Sequence, residues 1–261
     1  MTCLPRLRLL LCSSVLASGA FCLPASAQPP EAEAIVQKAM DNWRSSASWS
    51  RMQLIVHRPN FERTLAFEAW TRGTKDSLSR FTKPAKEAGN ASLKLAEDMW
   101  MFSPKLQQVM KLPSSLMSKS WMGSDFSYDD LAKSDRLLVD YELTLTDTKE
   151  TSGHTVYSIE AIPKDNAPVV WGKQTLEVRD DSVLLEQLFF DQDMKPLRRM
   201  TAEKIEKLGG RIYATVARMS NLEKDDHWTE IVYDDARFDV ELPDYLFSLS
   251  NLQNPRPWKP K

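Results

Sequence analysis

Apolar residues recur at helical spacing in the stretch from Glu31 to Ala47, directly after Pro29-Pro30. Steps of three and four residues put them on one side of a helix. Acidic residues occupy the first turn, where they interact favourably with the helix dipole. The pattern therefore predicts an amphipathic N-terminal helix, whose apolar stripe consists of Ile35, Val36, Ala39, Met40 and Trp43.

From about Ser48 the apolar period changes from three or four residues to two, which predicts strands with one buried face. Turn-forming clusters separate the strands, and Gly209-Gly210 has the composition of a two-residue hairpin turn. No long helix intervenes in the second half, so an antiparallel meander is the simplest topology. The alternating runs are Met52–Val56, Leu65–Ala69, Tyr141–Leu145, Tyr157–Ala161, Leu176–Val178, Leu184–Phe190, Ile212–Val216 and Ile231–Tyr233.

The central segment Leu112–Lys133 interrupts the strand pattern and predicts short helices or a long loop. An apolar insertion between two halves of a sheet is a candidate lid over a concave face. Within it, Ser124 or Asp125 resembles a helix N-cap, and Asp129 and Asp130 would follow in the first turn. We expect a mainly structural role for these residues, and contact with a partner is the alternative.

Five of the chain's 11 methionines lie between Met99 and Leu131. Five aromatic residues accompany them: Trp100, Phe102, Trp121, Phe126 and Tyr128. Methionine is flexible and polarizable, so methionine-rich surfaces adapt to apolar partners of different shapes. Composition alone leaves two interpretations open, a binding surface and an ordinary core.

Residues 1–27 have the pattern of a secretory signal peptide: basic residues, an apolar stretch from Leu9 to Leu23, and the small residues Ala25-Ser26-Ala27. We expect cleavage after Ala27, a periplasmic location and a single domain over residues 28–261. All three cysteines lie in this leader, so the mature protein would have no disulfide. Phe21 before Cys22 argues against lipidation. No later stretch reaches the roughly 20 apolar residues of a membrane span, so we expect a soluble protein without stable membrane insertion.

Charge and motif content exclude several function classes. The formal net charge is −2, and removing a leader that contains Arg6 and Arg8 makes it more negative, which disfavours nucleic acid as a partner. The three histidines are far apart in sequence and have no second ligand at metal spacing. No serine-nucleophile motif, phosphate-binding loop or dinucleotide fingerprint is present. We therefore expect no enzyme activity, no cofactor and no metal site.

Two sequence blocks and three single residues resemble the signature of outer-membrane lipoprotein-sorting proteins, the LolA/LolB-like family. They are Trp100–Pro104 and Gly123–Leu131, together with Pro84, Gly89 and Leu93. The similarity is strongest over residues 77–247, and the two blocks are typical of the broader, transporter-associated branch. The resemblance implies an α+β fold that is mainly antiparallel β: an incomplete, strongly curved β-barrel with helices covering the concave apolar face.

The resemblance also implies a periplasmic carrier or chaperone that binds lipid or lipid-modified protein and passes it between membrane components. The alternative is a non-transporting periplasmic adaptor of an ABC- or RND-type inner-membrane transporter, and we expect such a transporter as a partner in both cases. We expect structural roles for Pro104, Gly123, Ser124, Asp125, Asp129 and Asp130. The residues predicted to line or close the lipid cavity are Leu54, Val56, Phe67, Trp70, Met99, Trp100, Met101, Phe102, Met110, Trp121, Met122 and Phe126.

Overall fold

The computed structural model describes residues 31–133 and 136–260, so the predicted signal peptide lies outside the described residues. Four α-helices are present in this part of the chain: α1 (Ala32–Arg44), α2 (Tyr128–Lys133), α3 (Leu137–Asp140) and α4 (Leu249–Gln253). Single 3-10 turns occur at Ser114–Leu116, Trp121–Gly123 and Asp244–Phe247.

The strands form one antiparallel sheet of 13 strands in the order β6-β5-β4-β3-β2-β1-β13-β12-β11-β10-β9-β8-β7. The sheet is an open, curved barrel, which confirms the predicted fold class. Its strands are β1 (Ala47–Arg58), β2 (Phe61–Arg72), β3 (Asp76–Lys83), β4 (Ala91–Leu95), β5 (Asp98–Ser103), β6 (Gln108–Lys111), β7 (Tyr141–Thr151), β8 (His154–Pro163), β9 (Lys173–Arg179), β10 (Leu184–Phe190), β11 (Pro196–Leu208), β12 (Arg211–Asn221) and β13 (Trp228–Phe238).

The central segment connects the two opposite edges of the sheet, because β6 and β7 are its outermost strands. It contains two 3-10 turns and the short helix α2, as its interrupted pattern predicts. Its buried residues Trp121 and Phe126 pack in one cluster with Met52, Leu54 and Phe67 of β1 and β2. The connection therefore crosses the inner face of the sheet, and residues 112–133 are called the lid segment below.

Alternation along the strands separates two buried faces. On the inner face, Met52 pairs with Phe67, and Phe67 pairs with Phe81. Since successive side chains of a strand point to opposite faces, the row three residues away along each strand belongs to the outer face. That outer row is Trp49, Trp70, Leu78, Leu93 and Trp100.

The outer row is covered by the C-terminal part of the chain. Leu246, Phe247 and Leu252 pack against it, and the Trp258 ring lies 6.4 Å from the rings of both Trp49 and Trp70. This second cluster holds the C-terminal segment on the side of the sheet that faces away from the lid.

The N-terminal helix and the glycine hairpin agree with the sequence predictions. Helix α1 buries Ile35 and Val36 against a cluster formed by β7, β8 and β9. It ends at Arg44 rather than Ala47 because Ser45 adopts a φ of 61°, which breaks the helix. Gly209 and Gly210 have φ values of 55° and 87°, and Leu208 pairs directly with Arg211 across them. This is a two-residue turn with positive φ at both central positions.

Candidate functional site

A cavity of about 380 Å³ lies between the inner face of the sheet, the lid segment and α1. Its volume is within the range of about 300 to 1,000 Å³ that is usual for small-molecule sites. Most of its surface is apolar. The large apolar and aromatic residues that line it include Met40, Trp43, Met52, Phe67, Met99, Trp121, Phe126, Leu131, Tyr141, Trp171, Phe189, Met200, Tyr213, Met219, Ile231 and Tyr233.

Aromatic packing defines the apolar end of this cavity. The Trp121 ring of the lid meets the Phe67 ring edge-on at 5.5 Å and the Phe81 ring at 5.3 Å. Trp121 is only 2 % exposed, so the lid is closed on the sheet. Tilted and edge-on ring pairs at these distances add a favourable interaction energy to the free energy gained from burying the rings.

The first anchor of the lid is the carboxylate of Asp125. Its Oδ2 accepts a hydrogen bond from Arg58 Nη1 at 2.9 Å and another from Thr229 Oγ1 at 2.6 Å. The Asp125 backbone N–H donates to Thr229 Oγ1 at 3.0 Å. The Arg58 guanidinium also donates to the Gly123 carbonyl. Strands β1 and β13 therefore hold this part of the lid through a largely buried charge pair.

The second anchor is Asp130, in the first turn of α2. Its two carboxylate oxygens accept hydrogen bonds from both terminal nitrogens of Arg198 on β11, at 2.8 and 2.9 Å. The same carboxylate accepts from the Ser127 backbone N–H at 2.7 Å, and Ser127 Oγ accepts from the Asp130 N–H at 3.1 Å. This is a capping box. The N-cap of α2 is thus Ser127, and the expectation that Ser124 or Asp125 caps the helix is wrong.

Ser124 and Gly123 instead shape the turn before α2. Ser124 Oγ donates to the Trp121 carbonyl at 2.6 Å, which closes a tight loop. Gly123 has a φ of 68°, and a Cβ there would lie 2.7 Å from Arg63 Nη2, so a larger residue would adopt an unfavourable backbone conformation and displace the Arg63 guanidinium. Arg63 also donates to the Met122 carbonyl.

Pro104 packs on Gly89 in a comparable way. Gly89 has a φ of 87°, and a Cβ at this position would lie 2.8 Å from Pro104 Cγ. The close approach of these two residues gives both a structural role in the connection between β3 and β4 and in the turn after β5.

The predicted cavity residues fall into three groups. Four line the cavity: Phe67, Met99, Trp121 and Phe126, and so do Asp129 and Asp130 from the motif. Four others belong to the same inner cluster without lining the cavity: Leu54, Val56, Met101 and Met122. The remaining four lie elsewhere, because Trp70, Trp100 and Phe102 belong to the outer cluster and Met110 is 43 % exposed on edge strand β6.

The two halves of the methionine-rich region contribute unequally to the cavity. From Met99 and the block Trp100–Pro104, only Met99 reaches the cavity, since strand alternation turns Trp100 and Phe102 to the outer face. From the block Gly123–Leu131, Phe126, Asp129, Asp130 and Leu131 all line it. The second block is therefore both structural and part of the cavity wall.

Sequence reasoning missed two parts of the wall. Helix α1 contributes Val36, Ala39, Met40 and Trp43, which the helical stripe had marked only as buried. The second half of the sheet contributes Phe189, Met200, Met219 and Tyr233, and the connection between β8 and β9 contributes Trp171. The period-two alternation predicts some of these strands, but it does not indicate which of their residues face the lid segment.

Two tyrosines in the wall remain neutral hydrogen-bonding groups. Burial raises the pKa of Tyr141 to about 12 and holds the pKa of Tyr213 well above its usual range. The Tyr213 ring lies 5.0 Å from the Tyr233 ring in an edge-on arrangement. Phenols with raised pKa values are poor general bases near neutral pH.

One group of possible metal ligands lies outside the cavity. His154, Asp180 and Asp181 have ligand atoms within 4.8 Å of one another, although their sequence spacing had not suggested a site. His154 Nδ1 lies 2.7 Å from Asp180 Oδ1, and Asp181 is bound by the Arg179 guanidinium at 2.7 Å. Asp180 is exposed and Asp181 is half-buried, and these internal pairings make the group a surface ion-pair cluster.

Helices that could span a membrane are absent from the described residues, because none is both long and apolar enough.

Comparison with known proteins supports the fold. A family model described as "Uncharacterized protein" matches residues 73–254, more than half of the chain. A putative outer membrane lipoprotein-sorting protein domain from Vibrio parahaemolyticus is similar, with 22 % identity, a TM-score of 0.73, and coverage of 85 % of this chain and 98 % of the other. No curated protein sequence matches the chain significantly.

Two further solved structures share the architecture. A DUF1329 family protein from Desulfovibrio piger has 24 % identity and a TM-score of 0.74, over 86 % of this chain and all of the other. A LolA superfamily protein from Nitrosomonas europaea has 21 % identity and a TM-score of 0.70, over 84 % and 98 %. At these identities the similarity shows the fold, which is the one that the sequence resemblance implies.

Proposed function

Because this chain belongs to the protein family whose model spans residues 73–254 and has the LolA-superfamily fold, we propose that it is a periplasmic carrier of lipid or lipid-modified protein. The observation that carries the proposal is the apolar cavity between the sheet and the lid segment. The cavity shelters acyl chains from water, and the carrier passes them between membrane components.

The free energy of acyl-chain burial is large enough to drive capture. Each buried methylene gains about 0.8 kcal/mol, so a chain of about 15 methylenes gains roughly 12 kcal/mol. Two such chains would gain roughly 24 kcal/mol, which exceeds the range of reversible complexes. A carrier therefore needs an opposing cost.

The closed lid supplies that cost. Trp121 and Phe126 pack on the inner face of the sheet, so an incoming chain must replace these contacts. Methionines 52, 99, 200 and 219 surround the same space, and their flexible side chains can adapt to the ligand. Partial exchange of protein contacts for lipid contacts keeps binding reversible.

The test is binding of a fluorescent fatty acyl probe to the wild-type protein and to the double variant Trp121→Ala with Phe126→Ala. We expect binding at least about tenfold weaker in this variant, which corresponds to about 1.4 kcal/mol. The matched control is Trp70→Ala with Phe102→Ala, which removes the same two side-chain types from the outer cluster. The control should lose stability and keep the probe affinity.

Mass spectrometry of lipids retained after native purification gives an independent readout. Absence of probe binding and of retained lipid in the wild-type protein would overturn the carrier function. Equal probe affinity in the lid variant and the wild type would remove Trp121 and Phe126 from the site.

A further inference from the structure

The inner face of strands β1 to β4 changes its chemistry along the strand direction. The row Met52, Phe67 and Phe81 is apolar, and it lies in the cluster beneath Trp121. At the next positions on the same face, two residues away on each strand and towards the same end of the sheet, the side chains are small and mostly polar. The next row, in pairing order, is Ser50, Ala69, Ser79 and Ser92, and the row after it is Ser48, Thr71, Ser77 and Lys94.

All six hydroxyl residues of these two rows line the cavity. Ser48 and Ser92 are buried, at 8 % and 6 % exposure, and Lys94 at the end of the last row is 4 % exposed. The hydroxyls of Ser48 and Thr71 lie 2.7 Å apart and share one hydrogen bond. Each hydroxyl can both donate and accept hydrogen bonds, so a polar floor in an otherwise apolar cavity suits a ligand that carries oxygen atoms next to an apolar tail.

The polar end of the cavity continues into a second, polar cleft. The cleft has a volume of about 1,030 Å³ and shares Met40, Asn42, Arg44, Arg136 and Ser182 with the cavity wall. Lys94 and the turn residues Gly73, Thr74 and Lys75 at the same end of the strands also line it. A ligand in the cavity can therefore extend from the apolar end, past the hydroxyl rows, to solvent.

We infer that the cavity binds an acyl glycerol group in one orientation, with its tail under Trp121 and Phe126 and its glycerol and ester oxygens on the hydroxyl rows. The inference rests on the proposed carrier function and adds the ligand's polar group and its direction. Ser48, Ser50, Thr71, Ser77, Ser79 and Ser92 form the polar subsite. The free end of the ligand, which in a lipid-modified protein is the polypeptide, leaves through the cleft between α1 and α3.

The experiment compares two probes with the same fluorescent tail: dodecylpyrene, which has no polar atom, and the monoacylglycerol of pyrenedodecanoic acid. Both are titrated against the wild-type protein and against Thr71→Val with Ser79→Ala and Ser92→Ala. We expect the variant to bind the monoacylglycerol about tenfold more weakly and dodecylpyrene unchanged or more tightly. Thr64→Val is the matched control, because Thr64 lies on the same strand as Thr71 but is exposed.

Each outcome decides between the two proposals. If the wild type binds neither probe, the carrier function itself fails. If the wild type binds both and the variant weakens both equally or neither, the hydroxyl rows are not a glycerol subsite and the inference is overturned, while the carrier function stands. A thermal unfolding curve equal to that of the Thr64→Val control shows that the triple variant is folded.

A third probe distinguishes the two sources of an acyl glycerol group. A peptide with a diacylglyceryl cysteine is titrated in parallel with the monoacylglycerol. The inference is supported if the triple variant weakens whichever of the two the wild type binds, and that preference identifies the source as free glycerolipid or acylated protein.

Discussion

Arg198 and Asp130 form a two-point ion pair that joins strand β11 to helix α2 of the lid segment. Arg198 Nη1 and Nη2 lie 2.8 and 2.9 Å from the two Asp130 oxygens. The guanidinium also stacks over the Trp171 ring at 4.4 Å and donates to the Asp125 carbonyl at 2.7 Å. Both side chains are mostly buried, at 13 % and 16 % exposure. This mostly buried ion pair therefore holds α2, and with it the lid segment, on strand β11.

Replacing Arg198 by methionine should destabilise the protein strongly. Asp130 would keep its charge in a partly buried position without its partner, which costs about 3 kcal/mol in the free energy of unfolding. Hydrogen exchange of the α2 amides should become faster, because the lid opens more often. Urea denaturation and hydrogen exchange measure the two effects.

The matched control for this prediction is Arg199→Met. Arg199 is adjacent in sequence but is 46 % exposed, and its Nε lies 3.4 Å from Glu186. An exposed pair of this kind contributes less than about 1 kcal/mol. Equal losses in the two variants would show that the clamp does not hold the lid.

Ser127→Ala should remove the N-cap of α2. Ser127 Oγ accepts from the Asp130 N–H at 3.1 Å, and no carbon side chain can replace it. Loss of such a cap costs about 1 kcal/mol. Ser127→Asn should recover most of that loss, because asparagine caps equally well. Urea denaturation of both variants checks the prediction, and a similar stability of Ser127→Ala and the wild type would contradict it.

Local patterns carried most of the fold prediction. Alternation identified the inner face of β1 and β2, and Gly209-Gly210 marked the hairpin between β11 and β12, because both signals depend on neighbouring residues only. The pairing of β1 with β13 could not be predicted in this way. It joins residues about 180 positions apart and has no turn to set its register.

The site was only partly predictable for a related reason. Met99 and Phe102 belong to the same apolar run, yet they lie in different clusters because they point to opposite faces. Composition detects apolar residues but does not assign a face to them. The two hydroxyl rows could not be predicted from the sequence either. Each of the strands β1 to β4 contributes only one or two small residues to them, and only strand pairing brings these residues together.

His57 should make stability depend on pH. Hydrogen bonds to Asp226 and then to Glu62 raise the pKa of His57 above its ordinary value of 6.5, and His57 in turn lowers the pKa of Asp226 below 3.8. Since the folded-state pKa of the histidine is raised, its stabilising contribution is complete below pH 6.5 and is lost as the pH rises through the folded value. The Asp226 contribution persists until the pH falls through its own lowered pKa.

The measurement compares wild type with His57→Gln in urea at about pH 5.5 and about pH 8.5. The variant should be less stable than the wild type at the lower pH, and the difference should shrink at the higher pH. The control is His227→Gln, since His227 Nδ1 lies 2.8 Å from the backbone carbonyl of Asp225 rather than from a carboxylate. A difference that grows with pH would contradict the sign of the linkage.

The two glycines of the hairpin between β11 and β12 should differ in their tolerance of alanine. Both have positive φ values, 55° and 87°, so replacing either by alanine lowers the free energy of unfolding by about 1 kcal/mol through backbone strain. At Gly210 a Cβ would meet no heavy atom within 4 Å, whereas at Gly209 it would lie 2.8 Å from the Phe238 ring and 2.9 Å from the Ala236 carbonyl. Gly209→Ala should therefore cost roughly 2 to 3 kcal/mol, because the close contact adds overpacking to the strain. Thermal and urea unfolding of the two variants measure this difference, and a larger loss at Gly210 than at Gly209 would show that the Phe238 contact does not determine the outcome.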